Sequence, residues 1–202
     1  MTDQPLTPPV EPDLDLPPER PTWPLVIGWI SVSWSVIFGF CCMGWGIVGL
    51  AVFLPMGVEN MKKADPSMDV SLPPQMQLGP AMIVMLGTGV LLSLVLLVAG
   101  ALTISRKPAG RTAHIIYAVL SIISVIASSI YQFMQVPALR QFRADHPDNP
   151  FVKPSPMGEG FDYAGPVIGL VIGMVFPAFI LIWFLVSKRG KGPMDVDTPD
   201  IV

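Results

Sequence analysis

The chain has 202 residues, of which 51% are hydrophobic and only 13% are charged, and its formal net charge at pH 7 is -3. Soluble domains usually carry about 25% charged residues, so a soluble core of any size is excluded and most of the apolar surface must face lipid or other helices. The acidic balance excludes a nucleic-acid partner, because a phosphate-binding surface needs clustered Lys and Arg.

The first 22 residues form an acidic, proline-rich segment whose only basic residue is Arg20. Such a composition cannot bury enough apolar surface to offset the entropy lost on ordering, so we expect a disordered tail. The uncharged run that follows is far longer than the apolar region of about 7–15 residues in a signal peptide. We therefore expect the first span to remain in the mature protein.

Four long stretches of the chain contain no Asp, Glu, Lys or Arg. They are residues 21–58, 70–105, 112–139 and 163–187. The apolar core of a bilayer is about 30 Å thick, and a helix needs about 20 apolar residues to cross it. The sequence therefore predicts an all-α fold, a four-transmembrane-helix bundle over residues 23–187. We expect the spans at about residues 23–54, 80–105, 112–136 and 163–186.

Prolines separate the spans from the loops. Pro55 follows the first apolar run, and proline both removes a helix hydrogen bond and clashes with the carbonyl group one turn earlier. We therefore expect Pro55 to end the first helix. Two long loops, residues 55–79 and 137–162, then connect spans 1 to 2 and 3 to 4, and a short turn at residues 106–111 connects spans 2 to 3.

Basic residues predict an orientation in the membrane. Lys and Arg cluster in the turn at residues 106–111 and again just after span 4, at Lys188, Arg189 and Lys191. Because Lys and Arg next to spans favour the cytoplasmic side, we expect both termini and this turn to be cytoplasmic and both long loops to be extracytoplasmic. Residues 188–202 then form a second cytoplasmic tail.

The two cysteines of the chain, Cys41 and Cys42, both lie within the first span. Eukaryotic four-span surface proteins such as tetraspanins and claudins depend on disulfides in their loops, and the loops of this chain contain no cysteine and no Asn-x-Ser/Thr sequon. These features favour a bacterial inner (cytoplasmic) membrane as the location.

Span 4 carries three glycines at four-residue spacing, Gly165, Gly169 and Gly173, followed by Pro177. Residues four apart share one helix face, so the glycines form a groove that lets another helix backbone approach closely. Pro177 cannot donate to the carbonyl of Gly173, which predicts a kink there. We expect this groove to pack against another span of the bundle, with a homo-oligomer or a partner membrane protein as the alternative.

Two further spans carry small residues at similar spacing. Span 1 has Ser31, Ser35 and Gly39, and span 3 has Ser124 and Ser128. We expect these small faces to meet the groove of span 4. Serine hydroxyls also bond to the carbonyls of their own helix, so helix packing is favoured over a polar conduction path.

Ionisable residues that could perform chemistry are sparse. His114 lies at the cytoplasmic end of span 3, where we expect it to be water-accessible, and His146 lies between Asp145 and Asp148 in the second loop. A proton relay needs ionisable partners within the membrane, and the spans contain none. Motifs of zinc proteases, phosphate-binding loops and hydrolase nucleophiles are also absent. We therefore expect no enzymatic activity, no cofactor and no metal site.

The stretch from Pro21 to Ser31, followed by a span rich in small residues and three more spans with proline-rich loops, resembles bacterial four-span membrane proteins without an assigned activity. The resemblance concerns the architecture of the whole chain. It implies a helical bundle in the lipid bilayer, but no catalytic or ligand-binding residues.

Three functional hypotheses remain. The first is a non-enzymatic structural, accessory or assembly partner that packs through the glycine face of span 4. The second is a small oligomeric transporter or channel. The third is extracytoplasmic copper handling, because thioether sulfur is a suitable ligand for Cu(I). The methionines of the loops are Met56, Met61, Met68, Met76 and Met157.

Overall fold

A computed structural model describes residues 22–152 and 162–186. Residues 1–21 of the predicted N-terminal tail, Met157 and the predicted C-terminal tail lie outside these ranges. Most of the described residues are helical, and none of them forms a strand. Four of the helices are long and apolar enough to cross a membrane, which confirms the all-α, multi-pass prediction. They are α1 (Trp23–Ala64), α2 (Pro80–Ile104), α3 (Ala109–Asp145) and α4 (Ala164–Leu185).

The predicted end of helix α1 at Pro55 is wrong, because the helix continues to Ala64. A π-helical segment, Gly49–Phe53, immediately precedes this proline, and the N–H of Leu54 bonds to the carbonyl of Gly49, five residues earlier. The wider π turn accommodates a proline ring that an ordinary α turn would reject. At 42 residues, α1 is about 63 Å long, roughly twice the thickness of a bilayer core.

Helix α3 likewise passes through a proline, Pro137, and ends only at Asp145. The missing N–H leaves one helix carbonyl, that of Phe133, without its usual partner, and membrane helices tolerate such a loss. The two predicted long loops are therefore partly helical. Within the described residues, the first connection is reduced to residues 65–79, including a short 3-10 turn at Pro74–Met76.

Helices adjacent in sequence are also adjacent in space, with α1 packed on α2, α2 on α3 and α3 on α4. We call the end of the bundle with the α2–α3 turn the turn end, and the end with the two longer connections the loop end. Helices α1 and α4 meet through aromatic rings, with the Trp34 and Phe176 ring centroids 4.7 Å apart. The buried core lies in the half of the bundle near the turn end. Its members are Ile27, Leu96, Tyr117, Ala118, Phe176, Ile180 and Phe184.

Helices α1 and α2 approach each other closely at two glycines. A Cβ atom built on Gly28 would lie 2.9 Å from the carbonyl oxygen of Gly100, and the reverse distance is also 2.9 Å. Further along the same face, the Ser35 hydroxyl donates to the carbonyl of Ser93 over 2.6 Å. The small face of α1 therefore lies against α2 and not, as predicted, against the glycines of α4. Near the turn end, bulky aromatic side chains stand between α1 and α4.

Candidate binding chamber

Polar residues form a continuous seam along α3, spaced alternately by four and three residues. This spacing places them on one face of the helix. The seam consists of His114, Tyr117, Ser121, Ser124, Ser128, Tyr131 and Gln135. It is buried near the turn end, where His114 is fully enclosed, and its loop-end part lines a cavity.

His114 ties three helices together at the turn end of the seam. Its Nδ1 lies 2.8 Å from the carbonyl oxygen of Gly110, and its Nε2 lies 2.8 Å from the Ser31 hydroxyl. A carbonyl only accepts, so Nδ1 carries the proton and Nε2 accepts from Ser31. Thr103 of α2 also touches the ring, at 3.3 Å from Nδ1. The expectation of a water-accessible His114 is therefore wrong: the ring is a buried, hydrogen-bonded tie between α1, α2 and α3.

A cavity of about 880 Å³, which we call the chamber, lies between the four helices in the half of the bundle near the loop end. Leu96 and Tyr117, both buried, form its floor. One wall is apolar and flexible and includes Met43, Met82 and Met85. The facing wall is the polar seam. A chamber of this size falls within the range of about 300–1,000 Å³ that is typical of small-molecule sites.

The polar groups of the chamber fall into two sets. The hydroxyls of Ser35, Ser93 and Ser128 donate to helix carbonyls and are already satisfied. A second set has no hydrogen bond to any residue in the described ranges and is therefore available to a ligand. Its members are Gln75, Ser124, Tyr131, Gln132 and Gln135. Each glutamine offers both donors and an acceptor.

The loop end of the chamber is covered by the connection between α1 and α2. Its 3-10 turn, Pro74–Met76, lines the chamber. Two contacts with the α3–α4 connection hold this cover in place. The Asp69 carboxylate contacts His146 Nδ1, and the amide of Asn149, which is fully buried, donates to the Ser71 carbonyl over 2.8 Å. The Ser71 hydroxyl and N–H, together with His146, lower the pKa of Asp69 to about 2.

One carboxylate, Asp162, reaches the rim of the chamber. It is paired with Arg140, at 3.2 Å from Nε, and with Arg143, at 3.1 Å from Nη2. Its side chain is only 5% exposed, and the hydrogen bond from Arg143 is the main reason that its pKa lies below the usual value. Among the described residues that line the chamber, Asp162 is the only one with a charged side chain, and that charge is neutralised by the two arginines.

Among residues 22–152 and 162–186, nothing closes the chamber between α1 and α4 at the loop end. Towards the turn end this gap is closed by the stacked rings of Trp34 and Phe176. Beyond that stack, Phe38 and Gly165 both line the chamber and are both exposed, Phe38 by 46%. A Cβ atom built on Gly165 would meet nothing within 4 Å. We call this opening the window.

The predicted packing glycines of α4 do not share one neighbour. Gly165 borders the window, and Gly169 is exposed with open space beside it. Only Gly173 faces a helix, where its Cβ would lie 3.1 Å from Val125 of α3. Pro177 is buried inside α4, which continues to Leu185. An interface between these glycines and another protein stays a prediction.

Sequence reasoning missed Gln132 and Gln135 altogether and treated Ser124 and Ser128 as packing residues. For Gln135 the alternating spacing of the seam was the available signal, since it places seven polar residues on one face of the helix. Gln132 lies outside that spacing.

The predicted copper ligands are dispersed among different surroundings. Met76 lines the chamber, whereas Met56 and Met68 are exposed. Cys41 and Cys42 are exposed on α1. Within residues 22–152 and 162–186, no three His, Cys, Asp or Glu side chains are grouped as metal ligands.

Comparisons with models of protein families, with curated proteins and with solved structures each give no match. The class of protein follows from the helices, since four of them are long and apolar enough to cross a membrane. The chain is a multi-pass membrane protein.

Proposed function

We propose that the protein is a non-enzymatic membrane protein that binds an uncharged small molecule in the chamber. The observation that carries this proposal is a cavity of about 880 Å³ with unused amide and hydroxyl groups on one wall and methionine side chains on the other. A charged ligand is disfavoured, because a buried charge is costly without a partner and the only charge on the described lining, Asp162, is already paired.

Filling the chamber tests this proposal. We expect native mass spectrometry of the protein released from its own membranes to show a bound small molecule. The double substitution Ser124→Leu with Ser128→Leu fills the space beside the polar seam and should abolish that adduct. Ile123→Leu with Ile126→Leu changes exposed positions on the same helix and should leave it intact. Equal adducts in all three proteins, or none in the unsubstituted one, would contradict the proposal.

The proposed orientation places the loop end, and with it the chamber, on the extracytoplasmic side of a bacterial inner membrane. Its support is the grouping of Arg106, Lys107 and Arg111 at the turn end. In a background lacking Cys41 and Cys42, Ala64→Cys should react in intact cells with a membrane-impermeant thiol reagent, and Ala109→Cys should not. The opposite pattern would reverse the orientation.

A second candidate, an assembly role through the outer faces of α1 and α4, also has a specific observation in its favour. Gly169 is exposed with open space beside it, and the segments Gly44–Val48 and Gly49–Phe53 of α1 contain no buried residue. Such faces suit a second copy of the chain or another membrane helix. Gly169→Leu should then abolish association without lowering the melting temperature of the monomer, whereas Gly173→Leu should lower it by clashing with Val125. Unchanged association in Gly169→Leu would count against this role.

The transporter hypothesis has weaker support. The chamber ends at Leu96 and Tyr117, and the core beyond them is packed with buried side chains, so a path across the bundle requires the floor to open. Flux of a neutral solute into proteoliposomes that depends on the protein would favour it.

A further inference from the structure

The positions of Phe38 and Gly165 along their helices indicate the depth of the window in a bilayer. Phe38 follows the first residue of α1 by 15 positions, which places it about 22 Å along the helix from the turn end. Gly165 is the second residue of α4, close to the loop end. Since a bilayer core is about 30 Å thick, the window opens onto the outer part of one leaflet, where acyl chains meet headgroups.

The shape of α1 keeps the window open. Its π-helical segment, Ser35–Met43, still packs on α2, but the following residues bury nothing. Gly44, Gly46 and Gly49 each have open space where a Cβ would lie. Helix α1 therefore leaves the bundle above Met43 and does not close against α4. The Trp34 ring, stacked on both Phe38 and Phe176, marks the lower edge of the gap.

The lining of the chamber includes apolar groups at the window and polar groups inside. Next to the opening lie apolar groups, Phe38 and Gly165, and the α3 side of the chamber carries the unpaired amides of Gln132, which is exposed, and Gln135, which is half-buried. A molecule that matches both the apolar opening and the amides must have an apolar chain at the window and an uncharged, hydrogen-bonding head inside the chamber. A methionine wall adapts readily to chains of different shape.

Building on the proposed function, we infer that the window admits a single-chain amphiphile with an uncharged, hydrogen-bonding head, taken from the leaflet at the loop end. The head binds Gln132 and Gln135, and the chain passes out over Phe38 and Gly165 into the bilayer. Monoacylglycerols and fatty alcohols have this chemistry.

Photo-crosslinking in phosphatidylcholine nanodiscs tests the inference. The probe is a monoacylglycerol with a diazirine in its chain, and the readout is the fraction of crosslinks on chamber residues such as Met85 relative to lipid-facing residues such as Val171. Gly165→Trp should obstruct the window and lower chamber labelling at least fivefold. Val167→Trp adds the same bulk to an exposed neighbouring position and should leave labelling unchanged.

Two further arms test the head. Gln132→Leu with Gln135→Leu leaves the window intact and should also lower chamber labelling at least fivefold, which provides a test even if Gly165→Trp fails to fold. A lysophosphatidate with the same diazirine chain should label the chamber at least fivefold less than the neutral probe.

The outcomes separate this inference from the proposed function. If the neutral probe labels the chamber equally in Gly165→Trp and the unsubstituted protein, entry through the window is overturned. Equal labelling by the anionic probe overturns the uncharged head. If the small-molecule adduct is present in native mass spectrometry but the neutral probe never labels the chamber, the ligand is not an amphiphile and the binding function stands.

Discussion

The Ser31 hydroxyl and the His114 ring nitrogen Nε2 lie 2.8 Å apart and join α1 to α3 in the fully buried interior near the turn end. The other ring nitrogen bonds to the carbonyl of Gly110, so this contact decides whether the histidine is satisfied. In a membrane interior, an unsatisfied polar atom finds no water to replace a lost partner.

We predict that Ser31→Ala destabilises the protein by about 1–3 kcal/mol, because it leaves Nε2 of His114 buried without a donor. Thermal unfolding in detergent measures the effect. Ser33→Ala, an exposed position on the same helix, is the control and should change little. A melting temperature for Ser31→Ala equal to that of the control would show that the contact contributes nothing.

The α1–α2 crossing should be intolerant of side chains. Gly100→Val places atoms against the Gly28 carbonyl, which belongs to a helix backbone and cannot move aside easily. We expect a loss of about 1–3 kcal/mol or more, the usual cost of overpacking. Gly46→Val on α1, where a Cβ meets nothing within 4 Å, is the matched control. Similar melting temperatures for both variants would contradict the close crossing.

The cover of the chamber should depend on pH through Asp69. The pKa of its carboxyl is lowered from 3.8 to about 2 in the folded protein. The contribution of the Asp69 carboxylate to the stability of the cover is therefore complete above about pH 4 and is lost as the pH falls through about 2. We expect Asp69→Asn to increase hydrogen exchange in residues 146–152 at pH 6, and the difference from the unsubstituted protein to shrink towards pH 2.

Asp65→Asn is the control for the cover. The pKa of Asp65 is also lowered, by the hydroxyl of Ser67, but this contact stays within its own loop. The Asp65→Asn substitution should leave hydrogen exchange in residues 146–152 unchanged. Equal protection of that segment in Asp69→Asn and in the unsubstituted protein would exclude the Asp69–His146 contact as a tie between the loops.

The turn between α2 and α3 offers a stabilising substitution. Arg106 has a φ of 56°, in the left-handed region, and the N–H of Lys107 bonds back to the Leu102 carbonyl in the pattern of a glycine helix cap. Arg106→Gly removes a steric cost of about 1 kcal/mol and should raise the melting temperature. Lys107→Gly, beside it, should not. A lower melting temperature for Arg106→Gly would show that its side chain contributes more than the strain costs.

Sequence patterns predicted where the helices lie better than which helices pack against each other. Uncharged runs identify spans because a charged side chain is costly in lipid, whichever neighbour the helix packs against. The continuation of α1 past Pro55 depends on the π turn before it, for which the residue types give no local signal. Likewise, spacing by four reveals small faces such as Gly165 and Gly169, but which helix a face meets depends on the bulk of Trp34 and Phe176 elsewhere in the chain.

The chamber was partly predictable from sequence. The spacing of Ser121, Ser124 and Ser128 was visible, and extending it to Tyr131 and Gln135 would have given one polar face. Whether such a face packs tightly or borders a cavity was not predictable, because this depends on the separation of α1 from α4 at the loop end.

Aromatic rings form the contacts between α1 and α4, stacked at Trp34–Phe176 and tilted or edge-on at Trp23, and no hydrogen bond links the two helices within residues 22–152 and 162–186. Stacked rings can slide past each other and keep much of their contact. The crossing at Gly28 and Gly100 cannot widen without losing its close backbone contact. We therefore expect the α1–α4 junction to yield more easily than the α1–α2 crossing. We expect bilayer tension or a change in bilayer thickness to widen the α1–α4 junction before any other, so the elasticity of the surrounding membrane would govern access to the interior.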